Sequence, residues 1–211
     1  VLKCLRAATR DAHSSVECAP ILARLTKPDL TREGYLTALR VLYGFHAAYN
    51  AVLPGLLKEE PKSSLFGPSA ALGALRRDLQ FLGEHVLDTT PILENPPPNT
   101  AAAIGALYVL EGSALGGRVI GRHVSLALRV GPGQGGDFFC AATADQARER
   151  WRRFCDFLDQ TGQEEGRIAD ICEGANATFK TLSDWLVAFD ASGRPLGDSH
   201  LDHVSSTSVA A

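Results

Sequence analysis

A chain of 211 residues with 45% hydrophobic content can bury the core of one large domain, which excludes disordered and fibrous classes. A net charge of −3 argues against a dedicated nucleic-acid binder, which carries a basic excess or stripe. The five cysteines (Cys4, Cys18, Cys140, Cys155 and Cys172) are odd in number and lack C-x-x-C spacing, so they read as scattered reduced thiols.

No run approaches the roughly 18 apolar residues of a membrane span. Val1–Arg10 has charges spread through it and no apolar core of a secretory signal. The expected setting is the cytoplasm, with no membrane and no nucleic-acid partner.

In chain order, residues 2–17 read as a helix with Leu2, Leu5, Ala12 and Val16 on one side. Arg6, Arg10, His13 and Glu17 follow at spacings of 4, 3 and 4 and form one ridge along its flank. Pro20 and Lys27-Pro28-Asp29 interrupt the chain. Thr31 is the expected N-cap of a second helix over about 31–57, with Leu39, Leu42, Phe45, His46 and Tyr49 at helical spacing. Pro54 is expected to kink or shorten its end.

A third helix is expected from Ser69 to about His85. Leu93-Glu-Asn-Pro-Pro-Pro-Asn99 is a stiff, non-helical linker. Asn99 or Thr100 then caps a long helix to about Val130, ended by Gly131-Pro-Gly-Gln-Gly-Gly136. Thr143-Ala-Asp-Gln146 is a capping box that opens a helix to about Gln160, with Trp151, Phe154 and Phe157 inward. A last helix spans about 163–190, and residues 191–211 read as a flexible tail. No run alternates as a strand does. The expected fold is one all-α domain over 1–190 with six or seven helices.

The unusual stretch is Leu107–Gly121, which has helical spacing yet holds Gly112, Gly116, Gly117 and Gly121. Each glycine inside a helix costs roughly 0.8–1 kcal/mol relative to alanine, so four forgo about 3–4 kcal/mol. Either another helix packs very close there, or a flat ligand lies against bare peptide groups.

The histidines divide on similar grounds. His13, between arginines and a carboxylate, is either a ligand for a transition metal or heme iron, or part of a solvated helix face. His46, among apolar residues, reads as a satisfied core or half-buried histidine. His85 and His123 read as surface positions, and the tail pair His200 and His203 has the spacing to hold an adventitious metal at most. A di-iron bundle needs Glu-x-x-His pairs, and none of the six histidines has an acid three residues before it. No P-loop or dinucleotide fingerprint occurs, and Gly112-Ser-Ala-Leu-Gly116 is not a hydrolase elbow. Within the basic cluster Arg148, Arg150, Arg152 and Arg153, Arg148 and Arg152 lie one turn apart, either on a solvated face or aimed at an anion.

Two segments resemble one family. Leu5-Arg-Ala-Ala-Thr-Arg-Asp-Ala-His-Ser-Ser-Val-Glu17 resembles the first helix of heme oxygenases, and Tyr108-Val-Leu-Glu-Gly-Ser-Ala-Leu-Gly-Gly-Arg118 resembles their glycine-bearing distal helix. The second segment is most similar to the soluble bacterial branch encoded beside bacteriophytochromes. The resemblance spans about residues 1–190. It implies a helical domain with heme held between the first helix and the distal helix.

It also implies roles for named residues. His13 would be the axial ligand to iron, with Val16 and Glu17 bordering the heme, Arg6 and Arg10 near its propionates, and Phe179 lining the pocket. Gly112, Gly116 and Gly117 would bring bare backbone to the oxygen-binding face. Arg148 and Arg152 would match a further basic pair. Ser113 stands where many animal members have an aspartate that orders water, and a hydroxyl both donates and accepts but is no carboxylate.

The implied activity is a heme-degrading monooxygenase. Heme b would be both substrate and cofactor, cleaved with O2 to biliverdin, carbon monoxide and ferrous iron. Electrons would come from an external reductant such as a ferredoxin, and a bacteriophytochrome would accept the pigment. The alternative is a carrier or sensor that binds heme on the same fold without degrading it. A heme-free relative acting on a small nitrogen heterocycle is a third class.

Overall fold

Thr31 and Asn99 start the two long helices on which the fold is built. A computed structural model of the chain describes residues 1–60, 62–86, 90–161 and 166–192, with side chains except at 114, 115 and 190–192. Thr31 Oγ1 accepts from the Gly34 N–H at 3.1 Å and opens α4 (Arg32–Leu56), which carries Pro54 in its last turn. Asn99 Oδ1 accepts from the Ala102 N–H at 2.8 Å and opens α6 (Thr100–Leu128). Both caps stand where the sequence puts them.

The first expected helix is two. α1 (Leu2–Ala8) and α2 (Arg10–Glu17) break at Thr9, whose buried hydroxyl donates to the Leu5 carbonyl at 2.8 Å. Such back-bonding bends helices. The Pro20 interruption contains a short helix, α3 (Pro20–Ala23), with proline at the first position where its missing N–H costs nothing. A 3₁₀ turn, Arg24–Thr26, follows it.

α5 (Ser69–Phe81) starts as expected but stops before His85. Gly83, at φ 84°, turns the chain, and the Glu84 and Gly83 amides donate back to the Leu79 and Gln80 carbonyls. α8 (Ala144–Thr161) opens with the capping box, its two bonds at 2.9 and 3.3 Å. α9 (Arg167–Ser192) includes residues 191 and 192, so the helix runs past the expected start of the tail; the rest of that tail, 193–211, lies outside the described residues.

The sequence gives no sign of α7 (Asp137–Cys140). A helix of one turn is too short to hold itself. It forms because the buried Asp78 carboxylate on α5 accepts from the Asp137 and Phe138 N–H groups at 2.7 and 2.8 Å. Among the described residues there are nine α-helices and no strand, where six or seven helices were expected. The excess comes from the Thr9 break and the short α3 and α7.

α6 is the central element, packed by α9 along much of its length and by α7, α8 and α4 around it, while α1 and α2 lie on α9. Ile104 and Leu107 of α6 share the core with Tyr35, Phe45 and Tyr49 of α4, Phe154 and Leu158 of α8, and Ile171 of α9. Among the described residues α6 alone is long and apolar enough to cross a membrane, and 56% of its apolar stretch is buried in this packing.

Candidate functional site

Val16 is buried on α2, a helix that lies against α9. That anchors α2 and leaves His13 and Glu17 at the mouth of a cavity of about 520 Å³ that all three line. The volume falls within the range of roughly 300–1,000 Å³ for ligand and cofactor pockets. The His13 side chain is 53% exposed, and its ring meets Phe179 of α9 edge to face at 5.5 Å between centroids. Its Nδ1 lies 3.5 Å from Glu17 Oε2. That contact is long for a hydrogen bond, but it turns Nδ1 toward a carboxylate and leaves Nε2 as the nitrogen to offer a metal.

α6 supplies another wall through Gly112, Ser113, Gly116 and Gly117. A Cβ built on Gly116 would meet nothing within 4 Å, so bare backbone faces open space there. On Gly112 it would touch the Trp151 ring at 3.6 Å, and on Gly117 the Phe139 ring at 3.3 Å. Gly121 differs: a Cβ there would stand 2.4 Å from the Phe139 carbonyl oxygen, so this glycine serves helix packing. The glycine stretch thus answers to both readings of its composition, ligand space at Gly116 and close packing at Gly121.

The Ser113 hydroxyl also lines the cavity and donates to the Leu110 carbonyl at 2.7 Å. With its proton engaged, it offers other groups only acceptor lone pairs.

His46 is the polar group whose place the sequence did not reveal. It is 2% exposed and lines the cavity beside Leu42 and Phe45, and its Nδ1 has no hydrogen-bond partner. It is buried as expected but not satisfied. Burial lowers its pKa to about 4, so the ring is neutral at physiological pH. Its nearest neighbours include Phe138 of α7, ring to ring at 5.5 Å. The Asp78 cap therefore positions two aromatics, Phe138 beside His46 and Phe139 beside Gly117. Burial pushes the Asp78 carboxyl up against the two amide bonds that draw it down.

Arg6 and Arg10 lie off this cavity, in an open depression of the α1–α2 face shared with Val1, Lys3 and Asp159. Arg148 and Arg152 are exposed and engaged by carboxylates of their own helix, Arg148 by Asp145 and Arg152 by Glu149 and Asp156. The arginine of that cluster that turns toward α6 is Arg150, which pairs with the buried Glu111. Nothing in the spacing of four arginines singles it out.

The residues fit heme. One imidazole stands at the mouth with a free nitrogen, bare helix backbone opens on another wall, and the remaining lining is mainly apolar and aromatic. Among the described residues no three His, Cys, Asp or Glu side chains converge as a metal cluster.

Comparison with known proteins bears on the same residues. The family model described as Heme oxygenase matches residues 1–188. A heme oxygenase of Xanthomonas campestris pv. campestris (strain 8004) is 39% identical over 115 residues, 54% of this chain; the match spans 66% of that relative, just under two thirds of its length. The fold superposes on the heme oxygenase of Neisseria meningitidis, studied with NO and CO bound, with a TM-score of 0.70 and 24% identity over 92% of this chain and 93% of that one. It superposes equally, at TM-score 0.70 and 17% identity over 89% and 91%, on heme oxygenase-1 of the cyanobacterium Synechocystis sp. PCC6803 in complex with heme. At these identities the two structures show the shared fold. The family match, in contrast, runs through His13 and the glycine stretch alike, and on that ground this chain belongs to the heme oxygenase family.

Proposed function

We propose that this chain cleaves heme to biliverdin, carbon monoxide and ferrous iron, using O2 and electrons from an external reductant such as a ferredoxin. The observation that carries this reading is that the His13 imidazole and the bare backbone of Gly116 belong to different walls of one cavity. Bound heme would supply both the redox-active iron and the porphyrin carbon that is oxidised.

The protein's own residues then have separable tasks. His13 Nε2 would ligate iron, while Glu17 and the edge contact of Phe179 hold the ring in orientation. A neutral histidine lacks the electron push of a thiolate that favours O–O cleavage. Val16 supports the α2 wall. Gly116 would keep side chains out of the space beside bound heme, while Gly112 and Gly117 leave room for the Trp151 and Phe139 rings that line the same cavity. Ser113 offers an acceptor oxygen to the cavity, and the buried, neutral His46 ring in its lining adds no charge.

Arg6 and Arg10, two turns and one turn before His13, lie outside the cavity, and their role would be to meet propionates that extend beyond its mouth. Arg148 and Arg152 are given no role in this scheme: both are exposed, paired within α8 and outside the cavity lining. The sequence Leu110-Glu-Gly-Ser-Ala-Leu-Gly-Gly117 supports a bacteriophytochrome as acceptor of the product.

Reconstitution with heme followed by ascorbate or a reduced ferredoxin system tests the reading. Loss of the Soret band with growth of a biliverdin spectrum and release of carbon monoxide is expected. A Soret band that persists under reductant and oxygen identifies a carrier instead.

A further inference from the structure

Glu111 directly precedes Gly112 and is the only acidic residue of α6. Its side chain is 4% exposed. Burying a carboxylate is costly unless its charge is paired and its lone pairs are filled, and an apolar side chain of similar size is often as stable or more so. Here both conditions are met. Oε2 accepts from Arg150 Nε at 2.5 Å, and Oε1 accepts from Arg150 Nη2 at 2.6 Å and from the Gly67 N–H at 2.9 Å. The fork is bidentate, so it sets direction as well as distance.

What the pair directs is the next residue on α8. Trp151 lies over the bare backbone of Gly112 and 5.8 Å from the Tyr108 ring, and Tyr108, Gly112 and Trp151 all line the cavity. Gly112 presents no side chain against which the indole can lock. Phe154 and Leu158 bury α8 in the common core without a directional bond, and Glu111–Arg150 is the directional polar contact to α6 beside the indole.

We propose that the Glu111–Arg150 pair is a positioning device that sets the register of α8 on α6 and so fixes Trp151 as the wall against which the macrocycle seats. Its consequence is specificity: the seat determines which meso carbon is oxidised, and therefore which biliverdin isomer forms. This inference rests on the heme-cleaving reading above. Neither residue touches the reacting atoms; both act through Trp151.

The test uses Glu111→Gln and Arg150→Lys in a Trp185→Phe background, which leaves Trp151 as the one tryptophan. Without heme, acrylamide quenching of Trp151 emission is expected to rise at least about twofold in both variants, because lysine keeps the charge but not the fork. With heme and reductant, chromatography of the product is expected to show the wild-type isomer ratio lost to a mixture. Arg153→Lys, an exposed residue paired within α8, should change neither. Variants that lose only thermal stability, with quenching and isomer ratio as in the wild type, would overturn the proposal. If Glu111→Gln does not fold, Arg150→Lys decides alone. If the wild type binds heme without yielding biliverdin, the cleavage reading fails while the quenching comparison still decides the positioning role.

Discussion

Gly105 of α6 and Gly174 of α9 meet backbone to backbone. A Cβ on Gly105 would stand 2.1 Å from the Ile171 carbonyl oxygen, and one on Gly174 would stand 2.3 Å from that of Ala102. This crossing sets how closely the central helix and the last helix approach, and α9 in turn carries α2 with His13 and brings Phe179 to its ring.

Gly105→Ala is therefore expected to lower stability by about 3 kcal/mol or more, because two backbones cannot yield as a side chain does. Gly116→Ala, where the added carbon meets nothing, is expected to raise it by up to about 1 kcal/mol. Urea unfolding of the two heme-free variants measures both. Effects of the same sign and size would contradict the division of glycines between packing and ligand space.

A larger side chain at the same open position separates binding from chemistry. Gly116→Leu is expected to take up heme and to form little or no biliverdin, since the leucine occupies the space left for oxygen. Soret titration and product absorbance are the two readings. Turnover at the wild-type rate would remove Gly116 from the catalytic scheme.

His46 makes a pH prediction. Its folded pKa of about 4 lies below the ordinary value of 6.5, so the unfolded chain binds the extra proton first as pH falls. The neutral ring's contribution is complete above pH 6.5 and is lost as pH drops toward 4. At pH 5 the loss from this one group is about 2 kcal/mol. Unfolding free energies at pH 7.5 and pH 5 should thus differ less in His46→Phe than in the wild type, and an identical difference would show that the ring is not held neutral in the fold.

What the sequence made legible follows from the range of the interactions involved. Thr31, Asn99 and the Thr143–Gln146 box bond within three residues, so their helix starts could be placed from the letters alone. α7 could not, because its cap, Asp78, lies 59 residues away. Gly105 passed unnoticed among alanines, since only its crossing with Gly174 gives it meaning. Periodicity put His46 on an apolar stripe with Leu42 and Phe45 but cannot tell a stripe that meets another helix from one that meets a cavity. Arg150 stands in a run of arginines, and its buried partner on α6 is what distinguishes it. His13, Glu17 and the glycine stretch were legible because their spacing matches a known family, and the cavity gathers them.

The most direct measurement is a heme titration of the wild type and of His13→Ala, followed through the Soret band. The account predicts stoichiometric uptake with a histidine-ligated spectrum in the wild type. In His13→Ala it predicts loss of that ligation and of biliverdin formation under reductant, with exogenous imidazole restoring the spectrum. An unchanged Soret band and unchanged turnover in His13→Ala would contradict it.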